Sequence, residues 1–129
     1  MKTFGILLGL LILTGACHKE AGEGGKSIIK GKVFVQDYNT SQTVLISEYY
    51  GPDIDVYIIY GEGNTYFNDR IRTSYDGSFE FPYLAKGKYK IFAYEKCITC
   101  PSGIKEVILD AAVTKNKSTV ELPNLVIKD

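Results

Sequence analysis

Thr73-Ser74-Tyr75-Asp76-Gly77-Ser78-Phe79-Glu80-Phe81 is the stretch from which the fold is read. Glycine tolerates positive φ and aspartate can bond its own backbone, so Asp76-Gly77 between Tyr75 and Ser78 predicts a hairpin turn. Ser78-Phe79-Glu80-Phe81 then alternates polar and apolar residues, the period of a strand with one buried face. Lys88 to Lys96 continues in kind: Tyr89, Ile91 and Ala93 fall on one side and Lys88, Lys90 and Lys96 on the other, although Phe92 and Tyr94 break the division. Further short apolar runs, at Ile28 to Gln36, Val44 to Ser47, Asp55 to Tyr60, Phe67 to Thr73, Lys105 to Asp110 and Ser118 to Ile127, recur at the spacing of an all-β sandwich or barrel. Gly61-Glu62-Gly63-Asn64, Lys86-Gly87 and Lys115-Asn116-Lys117 supply additional turns, so a meander is expected. Pro52, Pro82, Pro101 and Pro123 lack an amide hydrogen and belong at strand ends, bulges or edges. Ile104, Val107, Ile108, Ala111 and Ala112 fall at helical spacing, whereas Val107 and Leu109 share a face in a strand. The expectation there is a strand, preceded by at most a short helical turn.

Composition narrows the function classes. The 129 residues carry 15 Lys+Arg against 15 Asp+Glu, which excludes a nucleic-acid binder that works by bulk positive charge. At 45% hydrophobic and 23% charged residues the chain has the composition of a globular protein with one core. Ten Tyr, six Phe, thirteen Gly and no Trp favour strands and tight turns.

The N-terminus reads as an address. Lys2, the apolar run Phe4 to Leu13 and the small residues Thr14-Gly15-Ala16 have the layout of a secretory signal over residues 1–16. About ten apolar residues are too few to cross a hydrocarbon core that takes roughly 20 as helix. Leu13-Thr14-Gly15-Ala16-Cys17 resembles a bacterial lipobox, which implies diacylglycerol on the Cys17 sulfur and a lipid-anchored mature chain of 113 residues. That chain has 14 Lys+Arg against 15 Asp+Glu, so the anchor would be the lipid and not net charge. Residues 17–26, with the polar, Gly-rich His18 to Lys26, are expected to be a flexible linker ahead of a domain over 27–129. Lys19-Glu20 and Glu23 are similar to the short acidic signal that sends Bacteroidetes lipoproteins to the cell surface.

Ile29-Lys30-Gly31-Lys32-Val33, Ile54 to Ile58, Thr73 to Phe81 and Leu84-Ala85-Lys86-Gly87-Lys88-Tyr89-Lys90-Ile91 together resemble the carboxypeptidase regulatory-like family, over roughly Ile28 to Tyr94. Val120 to Ile127 is similar to its closing strand. The resemblance implies a prealbumin-like (Ig-like) antiparallel β-sandwich of about seven strands, with Phe79, Phe81 and Tyr89 between the sheets. It also implies an accessory, adhesive or scaffolding role without catalysis. The hydrolase branch of that fold needs several histidines and a C-terminal Tyr-Arg-Gly-Ser, whereas this chain has one histidine, His18, and ends Leu125-Val126-Ile127-Lys128-Asp129.

Few residues carry chemistry. Cys97-Ile98-Thr99-Cys100 can be a structural disulfide in an exported protein, a thioredoxin-like redox pair or half of a zinc site. Only 29 residues follow Cys100, too few to complete a thioredoxin fold, and no second C-x-x-C or His pair exists for zinc, so a disulfide is expected. A Ser-His-Asp or Cys-His arrangement lacks its base, because His18 lies in the expected linker. Asp53 and Asp55 would point the same way in an extended segment, but such pairs arise by chance in a β-domain. No metal site, cofactor or phosphate loop is expected. Tyr49 and Tyr50 are the candidate ligand contacts, facing opposite sides with at most one in the core; Tyr57, Tyr60, Tyr66 and Tyr75 group around one predicted hairpin, where rings could stack on a sugar or a protein. The expected function is a non-enzymatic binding or assembly module at the outer membrane for an envelope protein or polysaccharide. A periplasmic thiol-disulfide protein using Cys97 and Cys100, or a carbohydrate-binding module using exposed tyrosines, is the alternative.

Overall fold

A computed structural model describes residues 20–129; the signal segment, Cys17 and His18 lie outside the described residues. The fold is all-β, with nine strands in two facing sheets: β1 (Glu23–Tyr38), β2 (Leu45–Tyr50), β3 (Asp55–Tyr60), β4 (Asp69–Arg72), β5 (Ser78–Leu84), β6 (Gly87–Lys96), β7 (Ile104–Val113), β8 (Thr119–Glu121) and β9 (Leu125–Lys128). One sheet is β4-β3-β6-β7, antiparallel throughout. The other is organised by the 16-residue β1, which pairs β5 along its first half and β2 along its second. β8 and then β9 also pair with it. Val33, Val35, Ile29, Val56, Ile58, Tyr89, Ile91 and Leu125 are at most 1% exposed and fill the space between the sheets.

Four sequence expectations change. The closing run Ser118 to Ile127 is two strands broken at Pro123, which brings the count to nine instead of about seven. β8 and β9 are parallel to β1, so the sandwich is mixed and not purely antiparallel. The reason is topological: β7 ends beside Gly87, and the turn after it carries the chain across to the start of β1, where only a parallel course remains. Asp76-Gly77 does form a tight turn: Gly77 has φ 77°, and Asp76 Oδ1 accepts from Ser78 N at 3.1 Å and Ser78 Oγ at 2.6 Å. Yet β4 and β5 belong to different sheets, so this is a corner and not a hairpin, and the strand order is not a meander. A Cβ on Gly77 would stand 2.9 Å from Val33 O, which is why glycine occupies the corner.

The fourth change is at the N-terminal boundary. Residues 17–26 read as linker, but β1 begins at Glu23 and Gly22 is buried. Tyr89, 1% exposed, places its hydroxyl 2.9 Å from the donating Gly22 N and donates to Ala85 O at 2.5 Å; Ala85 N donates to Gly22 O at 2.8 Å. A buried phenol needs partners for its hydroxyl, and the backbones of Gly22 and Ala85 supply them. Residues 104–113, ambiguous by periodicity, form β7, with Leu109 opposite Ile91 and Val107 opposite Ala93 facing inward.

Candidate functional site

The two residues that spoil the alternation of β6 mark the most developed surface feature. Tyr89, Ile91, Ala93 and Glu95 point into the sandwich, so Lys88, Lys90, Phe92, Tyr94 and Lys96 point to solvent. Register places Tyr57 of β3 opposite Phe92, and Ile108 of β7 on the other side of Phe92. Phe67, just ahead of β4, joins them. Tyr57 and Phe92 stack with centroids 4.9 Å apart and planes 12° apart. Phe67 and Tyr94 meet Tyr57 edge-on at 4.8 Å and 5.4 Å, and Tyr94 meets Phe92 edge-on at 5.6 Å. Each such pair contributes about 0.5–1.5 kcal/mol beyond area burial, enough to hold the rings in place before any ligand arrives.

The strip has a covered floor and open members. Phe92 is 6% exposed although it lies on the outer face, while Tyr94 is 37% and Phe67 47% exposed. Arg70 stands opposite Tyr57 and Glu106 opposite Tyr94, so charged groups rim the apolar strip at both ends. Burial, then the charge of Glu106, then Tyr57 push the Tyr94 phenol above its ordinary value, so it stays a neutral hydrogen-bonding group at neutral pH. An apolar platform with a few polar groups at its edge is the arrangement that binds the face of a sugar or a flat partner side chain.

The tyrosines expected to contact a ligand lie elsewhere. Tyr49 and Tyr50 sit on edge strand β2, opposite Val35 and Phe34, and point to opposite sides as expected; both are exposed and neither is in the core. Tyr50 is already engaged: the Lys32 ammonium lies 4.9 Å over its ring, Phe34 meets it edge-on at 5.2 Å, and Asn124 Nδ2 donates to its hydroxyl at 3.3 Å. Of the tyrosines grouped around the predicted hairpin, only Tyr57 joins the strip. Tyr60 turns inward against Tyr89 at 5.8 Å, and Tyr66 and Tyr75 stand alone on loops. The signal that finds the strip in the sequence is Phe92 and Tyr94 on the lysine side of β6; Phe67 carries no such signal because it precedes its strand.

Cys97 and Cys100 are bonded to each other, S–S 1.94 Å, at the tip of the β6–β7 hairpin. The loop is closed as well by Cys97 N donating to Gly103 O at 2.8 Å and Gly103 N donating to Cys100 O at 3.0 Å. Closing four residues is worth about 2 kcal/mol in the chain-entropy model, so the bridge shapes this tip. The pair stands on a hairpin and not at a helix N-terminus, the placement that lowers a thiol pKa and makes a C-x-x-C reactive. Asp55 is held by Arg72 Nε at 3.2 Å, which ties it to β4. Among the described residues no group of three His, Cys, Asp or Glu side chains is placed to hold a metal ion.

No family model matches this chain, and no curated protein sequence matches it. Among solved structures it is similar in fold to a "putative carbohydrate binding protein" from Pseudomonas aeruginosa, with a TM-score of 0.53 and 12% identity, over 84% of this chain and 92% of that one.

Proposed function

We propose that this protein is a non-enzymatic, lipid-anchored module of the bacterial cell envelope that binds polysaccharide on the outer face of the β4-β3-β6-β7 sheet. The observation that carries the reading is the ring set Tyr57, Phe67, Phe92 and Tyr94, pre-packed on a solvent-facing sheet with Arg70 and Glu106 at its ends. The fold likeness to a "putative carbohydrate binding protein" is compatible with a binding module of this kind. Diacylglycerol on Cys17 would supply the anchor, and the carboxypeptidase regulatory-like resemblance supports an accessory role. A non-enzymatic role is supported by a sequence whose one histidine is His18, which leaves a Ser-His-Asp or Cys-His arrangement without its base.

Screening the soluble domain against a glycan array, followed by titration of any ligand found, tests this reading. Tyr94→Ala and Phe67→Ala are each expected to weaken binding at least about tenfold, equivalent to ~1.4 kcal/mol. Tyr75→Ala, at an isolated exposed tyrosine, is expected to leave it unchanged. An empty array, or equal loss from all three variants, overturns the proposal.

A further inference from the structure

The end of the sandwich next to the N-terminus differs from the opposite end in a way that bears on how the protein sits on a membrane. Gly22 is fastened between Tyr89 and Ala85, so the body begins there. At roughly 3.3–3.6 Å per residue, the chain from Cys17 to Ala21 spans at most about 14 Å at full extension. A free linker through Lys26 would more than double that reach. The polar headgroup layer is itself roughly 5–8 Å deep, so a lipid on Cys17 leaves the body close against it.

The surface at that end fits such a neighbour. Tyr66 and Tyr83 are 83% and 71% exposed there, one on the β3–β4 loop that starts at Gly61 and the other beside Leu84, whose strand partner is Glu23. Gly61 N bonds Lys88 O at 2.8 Å, which places both loops at the same end. Tyr83 also has φ 59°, a left-handed conformation that a bulky residue adopts at a cost, and no packing of its ring accounts for it. Lys26, Lys86, Lys115 and Lys117 lie on segments of this same end, at the start of β1, in the β5–β6 turn and in the β7–β8 turn, and none enters an ion pair among the described residues; the acidic side chains here include Glu20, Glu23 and Glu62, the last already paired with Lys88 at 2.9 Å. Exposed tyrosines with unpaired lysines are the chemistry of the membrane–water interface, where the ring sits at headgroup level and the ammonium meets phosphate. The opposite end, about 30 Å away along the ten residues of β6, instead shows Ile98 on the disulfide tip and Val44, Leu45 and Ile46 at the β1–β2 turn.

We infer that the end bearing Tyr66, Tyr83, Lys26, Lys86, Lys115 and Lys117 docks against phospholipid headgroups, holding β6 away from the bilayer with the disulfide tip outermost. The inference rests on the acylation of Cys17 proposed above, and it gives the anchored body one orientation. The strip would then face sideways, open to polymer running past the membrane.

The chain has no tryptophan, so single tryptophans report position cleanly. The full acylated protein carrying Tyr83→Trp, Tyr66→Trp or Ile98→Trp is placed in vesicles of phosphatidylethanolamine and phosphatidylglycerol with and without bromine on the acyl chains near the headgroup. The expected result is a blue shift and about twofold loss of emission for Tyr83→Trp and Tyr66→Trp, with Ile98→Trp unmoved. Quenching of Ile98→Trp in their place, or of none of the three, overturns the orientation. Mass spectrometry of Cys17 in the same sample separates the two failures: a lipid-free Cys17 removes the anchor itself, whereas an acylated Cys17 with silent tryptophans overturns the docking alone.

Discussion

Along β6 the inward and outward side chains are both aromatic, and they differ in what surrounds their polar atoms and their edges. Tyr89 points inward, is 1% exposed and spends its hydroxyl on Gly22 and Ala85; its ring closes the core and fastens the N-terminal segment at once. Tyr94, five residues later on the other face, has no hydrogen bond from its hydroxyl among the described residues and packs on Tyr57 and Phe92 by ring edges alone. The difference teaches that aromatic residues serve one strand in two ways: a satisfied buried phenol makes the fold, and an open ring beside a covered one makes a surface.

Substitution tests that contrast directly. The largest effect is expected at Tyr89→Ala, which opens a cavity and strands Gly22 N together with Ala85 O: a loss of about 3–5 kcal/mol in denaturant unfolding, enough to unfold a domain of this size. Smaller and more revealing is the pair on the outer face. Phe92→Ala should cost about 3 kcal/mol because its ring is nearly covered and stacked on Tyr57, whereas Tyr94→Ala should cost only about 1–2 kcal/mol, the worth of its two edge contacts, while weakening ligand binding at least about tenfold. Equal stability losses at the two positions would mean that the strip is a second small core and not a platform.

The mildest test is pH. Burial raises the Tyr89 phenol above its ordinary value of 10.0 against the opposing hydrogen bond from Gly22, and burial followed by the charges of Glu23 and Asp69 raises that of Tyr60. Below pH 10 the phenols are neutral in both folded and unfolded chains. Above it the unfolded chain ionises first while the folded one holds its protons, so stability should fall as pH climbs from 10 through the folded values. Denaturant midpoints measured from pH 8 to pH 11 check this, and Tyr89→Phe should flatten the decline. An unchanged slope in that variant would place the titration on other groups.

The second contrast, between the two ends of the body, comes from particular residues too. The polar, glycine-rich run before Ser27 reads as linker because nothing in it is periodic. It folds because Gly22 and Gly25 let the backbone pass close to Tyr60, Leu84 and Ala85; a Cβ on Gly25 would stand only 2.0 Å from Leu84 O. Composition cannot distinguish a glycine that loosens a chain from one that lets it pack.

What the amino-acid order determined by itself is local: alternation fixed which residues of β5 and most of β6 face inward, Asp76-Gly77 fixed a reversal, and the C-x-x-C spacing placed two sulfurs within bonding reach. Such features depend on neighbours a few positions apart, and a side-chain period of two needs no partner to be read. Tertiary structure alone decided which sheet receives the chain after the reversal, that β8 and β9 run parallel to β1, and that Tyr57, Phe67, Phe92 and Tyr94 meet on one surface while Tyr49 and Tyr50 do not. Those outcomes depend on register between strands distant in sequence, which is set by how the two apolar faces close on each other and leaves no mark on any single segment.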